Sequence, residues 1–372
     1  MAYKGVEEVI TKKISITKFQ LFFVLIQSQI GIGLLSLPNV VQESAKGDGW
    51  LSIILAGLVV QFLLIIYWFL LKRFPNDEFT QLTQKILGRS LGKIVNIIMY
   101  FYFIMTGSIS TILMVKLINL QLLSLTPRWI ISFLILSASI YLTISNLRII
   151  ARFFVLASSL IILLLIISLF TLLLPKEIQF ILPVGSSGIK NILIGSNSAF
   201  FSMVGFEGIL FLYAFIIHNN KGVLKTISMA NIFVTGFYTF LVFICLISFS
   251  PDQLNLIREP VTYLFRGLSF KMIERLDYIF LSIWIVSMTT SIIAYLFLAS
   301  KSISDEKKSY KKSVVINGIL IFLISLIPHT DEITTLFSKY VSYLSYAVIF
   351  VIPVLLLILS ILFKKHETGE TA

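Results

Sequence analysis

Residues 196–215 read Ser196-Asn-Ser-Ala-Phe-Phe-Ser-Met-Val-Gly205-Phe206-Glu207-Gly208-Ile-Leu-Phe-Leu-Tyr-Ala-Phe215. The run lies inside an apolar stretch, 190–217, long enough to cross a bilayer. Yet it holds a carboxylate, Glu207, between Gly205 and Gly208. A charged side chain at the bilayer centre is costly, so it faces protein or water and marks a site. Glycines on both sides weaken the helix and let backbone polar groups leave the ladder. The stretch reads as a transmembrane helix broken near its middle, helping to build a ligand site.

Composition sets the class. The chain has 372 residues, of which 57% are hydrophobic and 13% charged. Its mean hydropathy is +0.96. A soluble domain carries about 25% charged residues. The apolar runs are continuous rather than alternating, which argues against a β-barrel. The chain is therefore expected to be an all-α polytopic membrane protein. Its formal charge of +12 is accounted for by basic cytoplasmic loops, so no nucleic-acid partner is expected. The single cysteine, Cys245, lies in an apolar run, and His218, His329 and His366 show no zinc-ligand spacing. No metal or cofactor is expected. No nucleophile–base pair is apparent, so no enzymatic activity is expected either. The first apolar run is too long for a cleaved signal peptide and reads as the first span.

Ten spans are predicted, over 17–41, 50–71, 94–121, 129–147, 150–174, 190–217, 222–249, 272–300, 313–328 and 337–363. With the N-terminus in the cytoplasm, 20 of the 30 Lys and Arg residues fall on the cytoplasmic side. That bias places both termini inside. Residues 75–92 read as an amphipathic cytoplasmic helix, capped by Asn76 or Asp77 and ended by Gly88. Residues 250–275 are long enough for a small external helix, and Lys116 is expected to snorkel to the outer interface.

A weak internal repeat joins these segments into one transmembrane domain spanning 1–372. The first span contains Gly31-Ile32-Gly33, and the sixth contains Gly205-Phe206-Glu207-Gly208, at matching depths. Five spans separate the two starts, so the second half enters the membrane from the opposite side. The halves are about 17–174 and 190–363. Matched glycine-interrupted helices in inverted halves point to a midplane binding site. Beyond Gly33 a half-helix begins, and its free N–H groups and dipole favour a carboxylate. Before Gly205 a half-helix ends, and its carbonyls with Glu207 would face an ammonium group or cation. A small zwitterion such as an amino acid satisfies both ends. The bland alternative is that these glycines only permit close helix packing. Tyr102 and Thr106 of the third span, and Thr289 and Thr290 of the eighth, are candidate walls. The two threonines are the only candidates for ion coupling, although such hydroxyls commonly just bond the preceding turn.

Further stretches resemble a known family. Gly31-Ile-Gly-Leu-Leu-Ser-Leu-Pro38, Asp48-Gly-Trp50-Leu-Ser52, Phe74-Pro75 leading to Ile86-Leu-Gly88-Arg-Ser-Leu-Gly92-Lys93, Glu259-Pro260 and Glu274-Arg-Leu-Asp277-Tyr-Ile-Phe280 with Trp284 are similar to the B subunit of endospore nutrient germinant receptors. That family belongs to the amino acid–polyamine–organocation superfamily. The resemblance implies a LeuT-like five-plus-five inverted repeat with broken first and sixth helices. It implies residence in the spore inner membrane beside A and C subunits. It also implies binding of a germinant, often an amino acid, that starts germination. Carried over by position, the pocket would be formed by Gly31, Ile32, Gly33, Gly205, Phe206, Glu207 and Gly208. The third and eighth spans would close it. The competing readings are a proton-coupled amino-acid permease with Glu207 titrating and, more remotely, an ion or water channel.

Overall fold

A computed structural model describes residues 15–31, 33–217, 222–268, 275–303, 307–328 and 330–366. Each predicted span coincides with helix. Span 1 is broken into 1a (Lys18–Gln29) and 1b (Gly33–Ala45). Spans 2 to 5 are Gly49–Lys72, Arg89–Gln121, Arg128–Thr143 and Leu147–Phe170. Span 6 is broken into 6a (Ile189–Ser202) and 6b (Phe206–Phe215), which meet at 54°. Spans 7 to 9 are Val223–Ser248, Leu276–Ile303 and Lys307–Ser325. Span 10 runs through Asp331–Tyr346, a π-helical segment Ala347–Val351, and Ile352–Leu362. By length and composition alone, six described helices cross a membrane, or seven with the bent pair. Span 4 has 16 residues and is too short for that test. Span 9 has four lysines, Lys307, Lys308, Lys311 and Lys312, at its start.

Local sequence explains the ends and kinks. Span 1 opens with a capping box: Thr17 Oγ1 accepts from Gln20 N (3.2 Å), and Gln20 Oε1 accepts from Thr17 N (2.9 Å). In span 10, Pro353 has no N–H and crowds the carbonyl four residues back, that of Ile349. The chain widens into the π segment there, and the buried Tyr67 of span 2 donates to Ile349 O (2.7 Å).

The amphipathic segment forms the helix Phe79–Leu87, ended by Gly88 at φ +83°. It turns Phe79, Leu82 and Ile86 into the protein. Neither expected residue caps it. Glu78 holds the N-cap position without a side-chain bond, and Asp77 instead pairs with Lys85 (2.7 Å). The outer segment holds two short helices, Pro251–Leu256 and Pro260–Arg266, where one was expected. Residues 269–274, 218 and 329 lie outside the described residues.

At the end of the bundle away from the described termini, Asp48 ties the start of span 2 to the connection between spans 5 and 6. Its buried carboxylate accepts from Gly185 N (2.7 Å), Ser187 N (2.9 Å) and Ser187 Oγ (2.7 Å). Removing it loses three hydrogen bonds to a charged acceptor, although the half-exposed donors can turn to water. Asp48→Ala should therefore lower stability by about 1–2 kcal/mol, read as a fall in the melting temperature of the purified protein. On the same side, the hairpin formed by the two outer helices leans on span 1b, where Asn39 Nδ2 donates to Leu254 O (2.7 Å). Lys116 is held there rather than merely reaching for the interface. Its Nζ and Arg258 Nη1 each lie 2.7 Å from the Asp331 carboxylate, which joins span 3, the hairpin and span 10.

Candidate functional site

The two helix breaks meet, and each is shaped to admit the other. A Cβ on Gly33, the first residue of 1b, would lie 2.8 Å from Ser202 Oγ, at the end of 6a. A Cβ on Gly205, before 6b, would lie 2.3 Å from the carbonyl oxygen of Ser28, near the end of 1a. Gly205 also has φ +128°, which L side chains rarely adopt. Close helix packing, one of the two expected roles, therefore holds at Gly33 and Gly205. Gly31 differs, because its nearest neighbour is Gln29 O at 4.0 Å and it faces open space. Ile32 lies outside the described residues. Gly208 makes only an ordinary contact, with Leu298 Cδ1 at 3.5 Å.

Breaking two helices frees carbonyls, and neutral side chains satisfy them. Ser291 Oγ of span 8 donates to Gln27 O (2.9 Å) and lies 3.1 Å from Ile30 O. Tyr238 Oη of span 7 bonds Gln29 O (2.9 Å) and Ser202 O (3.2 Å). Gln29 Nε2 donates to Met203 O (3.2 Å), so span 1 caps span 6 directly. Thr290 is drawn into this support. Its Oγ1 lies 2.7 Å from Gln27 Oε1 and 2.6 Å from Ser287 O, sharing one proton between them, and Gln27 Nε2 donates to Ser158 Oγ of span 5 (3.2 Å). Thr289 donates to its own Ile285 O (2.8 Å) and joins nothing at the breaks.

Glu207 is fully buried. Its Oε2 accepts from Gly205 N (2.7 Å) and its Oε1 from Tyr102 Oη (2.8 Å). Tyr295 of span 8 is also within hydrogen-bonding reach. No Lys or Arg among the described residues pairs with it. Phe206 stacks on Tyr67 with ring centroids 5.9 Å apart, which ties the sixth-span break to the π segment of span 10.

A cavity of about 220 Å³ lies between the breaks. It touches Gly31, Gly33 and Thr106 of the expected set. Tyr102, Gly205, Phe206, Glu207, Gly208, Thr289 and Thr290 are not among its lining residues. The lining residues outside the expected set include Ser28, Gln29 and Ser202 at the breaks and Ser338, Ser342 and Ser345 of span 10. The spacing of four and then three puts the three span 10 serines on one helix face, and that periodicity was readable in the sequence. Among the described residues no charged side chain lines the cavity. A larger cavity, about 510 Å³, lies between the outer ends of spans 3, 4, 9 and 10 beside Lys116 and Asp331, and it touches neither break.

Paired broken helices around a central cavity define a multi-pass membrane protein of the LeuT-like transporter fold. Solved structures agree on the fold. The structure titled MhsT in complex with L-phenylalanine matches with TM-score 0.68 and 14% identity, covering 94% of this chain and 89% of that one. A substrate-bound Na+-coupled sialic acid symporter matches with TM-score 0.61 and 12% identity, covering 91% and 80%. The chain belongs to the spore germination protein family, whose description matches residues 15–334. Among its relatives, spore germination protein GerQB of Bacillus cereus is 25% identical over 84% of this chain and 85% of its own length. YndE of Bacillus subtilis (strain 168) is 27% identical over 88% and 91%. Spore germination protein A2 of the same strain is 25% identical over 88% and 91%.

Proposed function

We propose that this chain is the ligand-sensing subunit of a germinant receptor. It binds a small zwitterion, an amino acid, between the broken spans, and the resulting shift in conformation triggers germination. The observation that carries the reading is the reciprocal packing of Gly33 on Ser202 and Gly205 on Ser28 around a cavity of about 220 Å³. The start of span 1b borders that cavity and offers N–H groups to a carboxylate. The volume, below the roughly 300–1,000 Å³ of drug-sized sites, suits a small ligand. That a neighbour of this fold holds L-phenylalanine is in keeping with it.

In this reading the whole chain acts as one transmembrane unit, with repeats over about 17–174 and 190–363. It works without catalysis, in the spore inner membrane, with both termini cytoplasmic. A and C subunits read the shift. The reading expects no dependence on sodium: the carbonyls that would face a cation each already give one acceptor site to Ser291, Tyr238 or Gln29, which leaves them less to offer an ion. Replacing Na+ by choline should leave ligand affinity unchanged within about twofold. A tenfold loss would restore ion coupling.

The buried carboxylate of Glu207 favours one second reading, a proton-coupled permease. Uptake of radiolabelled amino acids into proteoliposomes separates the two. The receptor reading expects binding without accumulation, whereas accumulation driven by a proton gradient would overturn it.

A further inference from the structure

The hydroxyls around the cavity divide into two kinds. A hydroxyl carries one donor proton and two acceptor sites. Ser28 commits its proton to Val24 O (2.7 Å), and Thr106 commits its own to Tyr102 O (2.8 Å). On span 10, Ser338 donates to Thr334 O (2.9 Å), Ser342 to Ser338 O (2.9 Å) and Ser345 to Val341 O (2.8 Å). These three oxygens can therefore only accept from a ligand. Ser110 and Ser202, by contrast, have no hydroxyl partner among the described residues and remain free to donate. Ser202 is the residue packed against Gly33 at the start of span 1b. Free donors thus lie on span 6a beside the start of span 1b and on span 3, and the tenth span supplies an acceptor row.

We infer that Ser338, Ser342 and Ser345 receive the ammonium end of the ligand. This rests on the zwitterion reading above and moves the ammonium away from the carbonyls of 6a. Each of those carbonyls already gives one of its two acceptor sites to Tyr238 or Gln29, whereas the row offers three further oxygens, and Glu207 does not line the cavity. The same placement gives Glu207 a role at a distance. Tyr102 spends its proton on Glu207 and Ser345 spends its own on Val341 O, so the two hydroxyls are neighbours without a bond between them. A positive charge beside Ser345 is one hydroxyl removed from the carboxylate, in a medium where charges interact strongly. Glu207 is then a positioning residue, which holds Tyr102 and the Gly205 turn and favours a cation at that end of the cavity. The row is about 10 Å long and lies on one continuous helix, Asp331–Tyr346.

The test is calorimetric titration of the purified full-length protein with glycine, L-alanine, L-valine and L-leucine. Each is paired with its analogue lacking the amino group: acetate, propionate, 3-methylbutanoate and 4-methylpentanoate. Wild type should prefer the amino acid. Ser342→Ala should weaken it about tenfold and leave the weak binding of the analogue unchanged. Ser338→Ala serves as the second variant if Ser342→Ala does not fold. Gly31→Leu, which fills the cavity, should abolish binding. If Gly31→Leu abolishes binding while both serine variants keep wild-type affinity, the serine row is wrong and the cavity stands. If Gly31→Leu binds like wild type, or no amino acid binds wild type, both fall. Equal affinity for amino acid and analogue also overturns the serine row.

Discussion

Gly205→Ala should leave the protein unable to assemble its ligand site. The added Cβ would sit 2.3 Å from the carbonyl oxygen of Ser28, which is backbone and cannot rotate away. The residue would also have to hold φ +128°, a strain of about 1–3 kcal/mol on its own. Relieving both means prising 6b away from 1a. The expected result is a loss of about 3 kcal/mol or more, seen as a lower melting temperature and as poor recovery from membranes. Gly208→Ala is the control, because its neighbour Leu298 lies at 3.5 Å and the helix gains propensity. A Gly205→Ala protein as stable as Gly208→Ala would mean that the two breaks do not pack as described.

Glu207→Ala should be nearly as damaging, for a different reason. It removes the acceptor for Gly205 N–H and for the Tyr102 hydroxyl, both in the interior. Each stranded donor costs about 1–3 kcal/mol. Glu207→Gln keeps one carbonyl oxygen and the shape of the side chain. It should fold, but its amide puts a donor where the carboxylate accepted. Ligand affinity should therefore fall about tenfold or more while the unliganded melting temperature changes little. If Glu207→Gln is missing from the membrane, the carboxylate is purely structural. If it binds ligand like wild type, the carboxylate has no part in holding the cavity.

The frame of the fold was legible because it rests on composition and on single residues with strong local effects. Continuous apolar runs located the spans to within a few residues. Gly31, Gly33 and Gly205, with a lone carboxylate, marked the breaks. What one sequence does not display is which distant residue satisfies a freed group. Tyr238 is 209 residues from the carbonyl of Gln29 that it bonds. Lys116 is 215 residues from Asp331. Glu207 was expected to face the ligand, because an intramembrane carboxylate invites that role. Its neighbours Tyr102 and Gly205 N claim both oxygens instead, and it is not among the residues lining the cavity. Thr290 was likewise a reasonable wall candidate, yet Gln27 and Ser287 O share its hydroxyl. Two signals were present but unused. Pro353 inside an apolar run predicts a freed carbonyl and a bent span. Ser338, Ser342 and Ser345 share a helix face, which becomes meaningful only once that face is known to border the cavity.

The most direct measurement is the melting temperature of the full-length protein in sodium-free buffer against a panel of L-amino acids, with Gly31→Leu run alongside. Gly31 faces the cavity with room for a side chain, so this variant should block the site without disturbing the breaks. A ligand present at a hundred times its dissociation constant stabilises by about 2.7 kcal/mol, a shift that is easily seen. The predicted result is that at least one small neutral amino acid raises the wild-type melting temperature and leaves Gly31→Leu unmoved. Stabilisation of both proteins alike, or of neither by any amino acid, would contradict a zwitterion site between the broken helices.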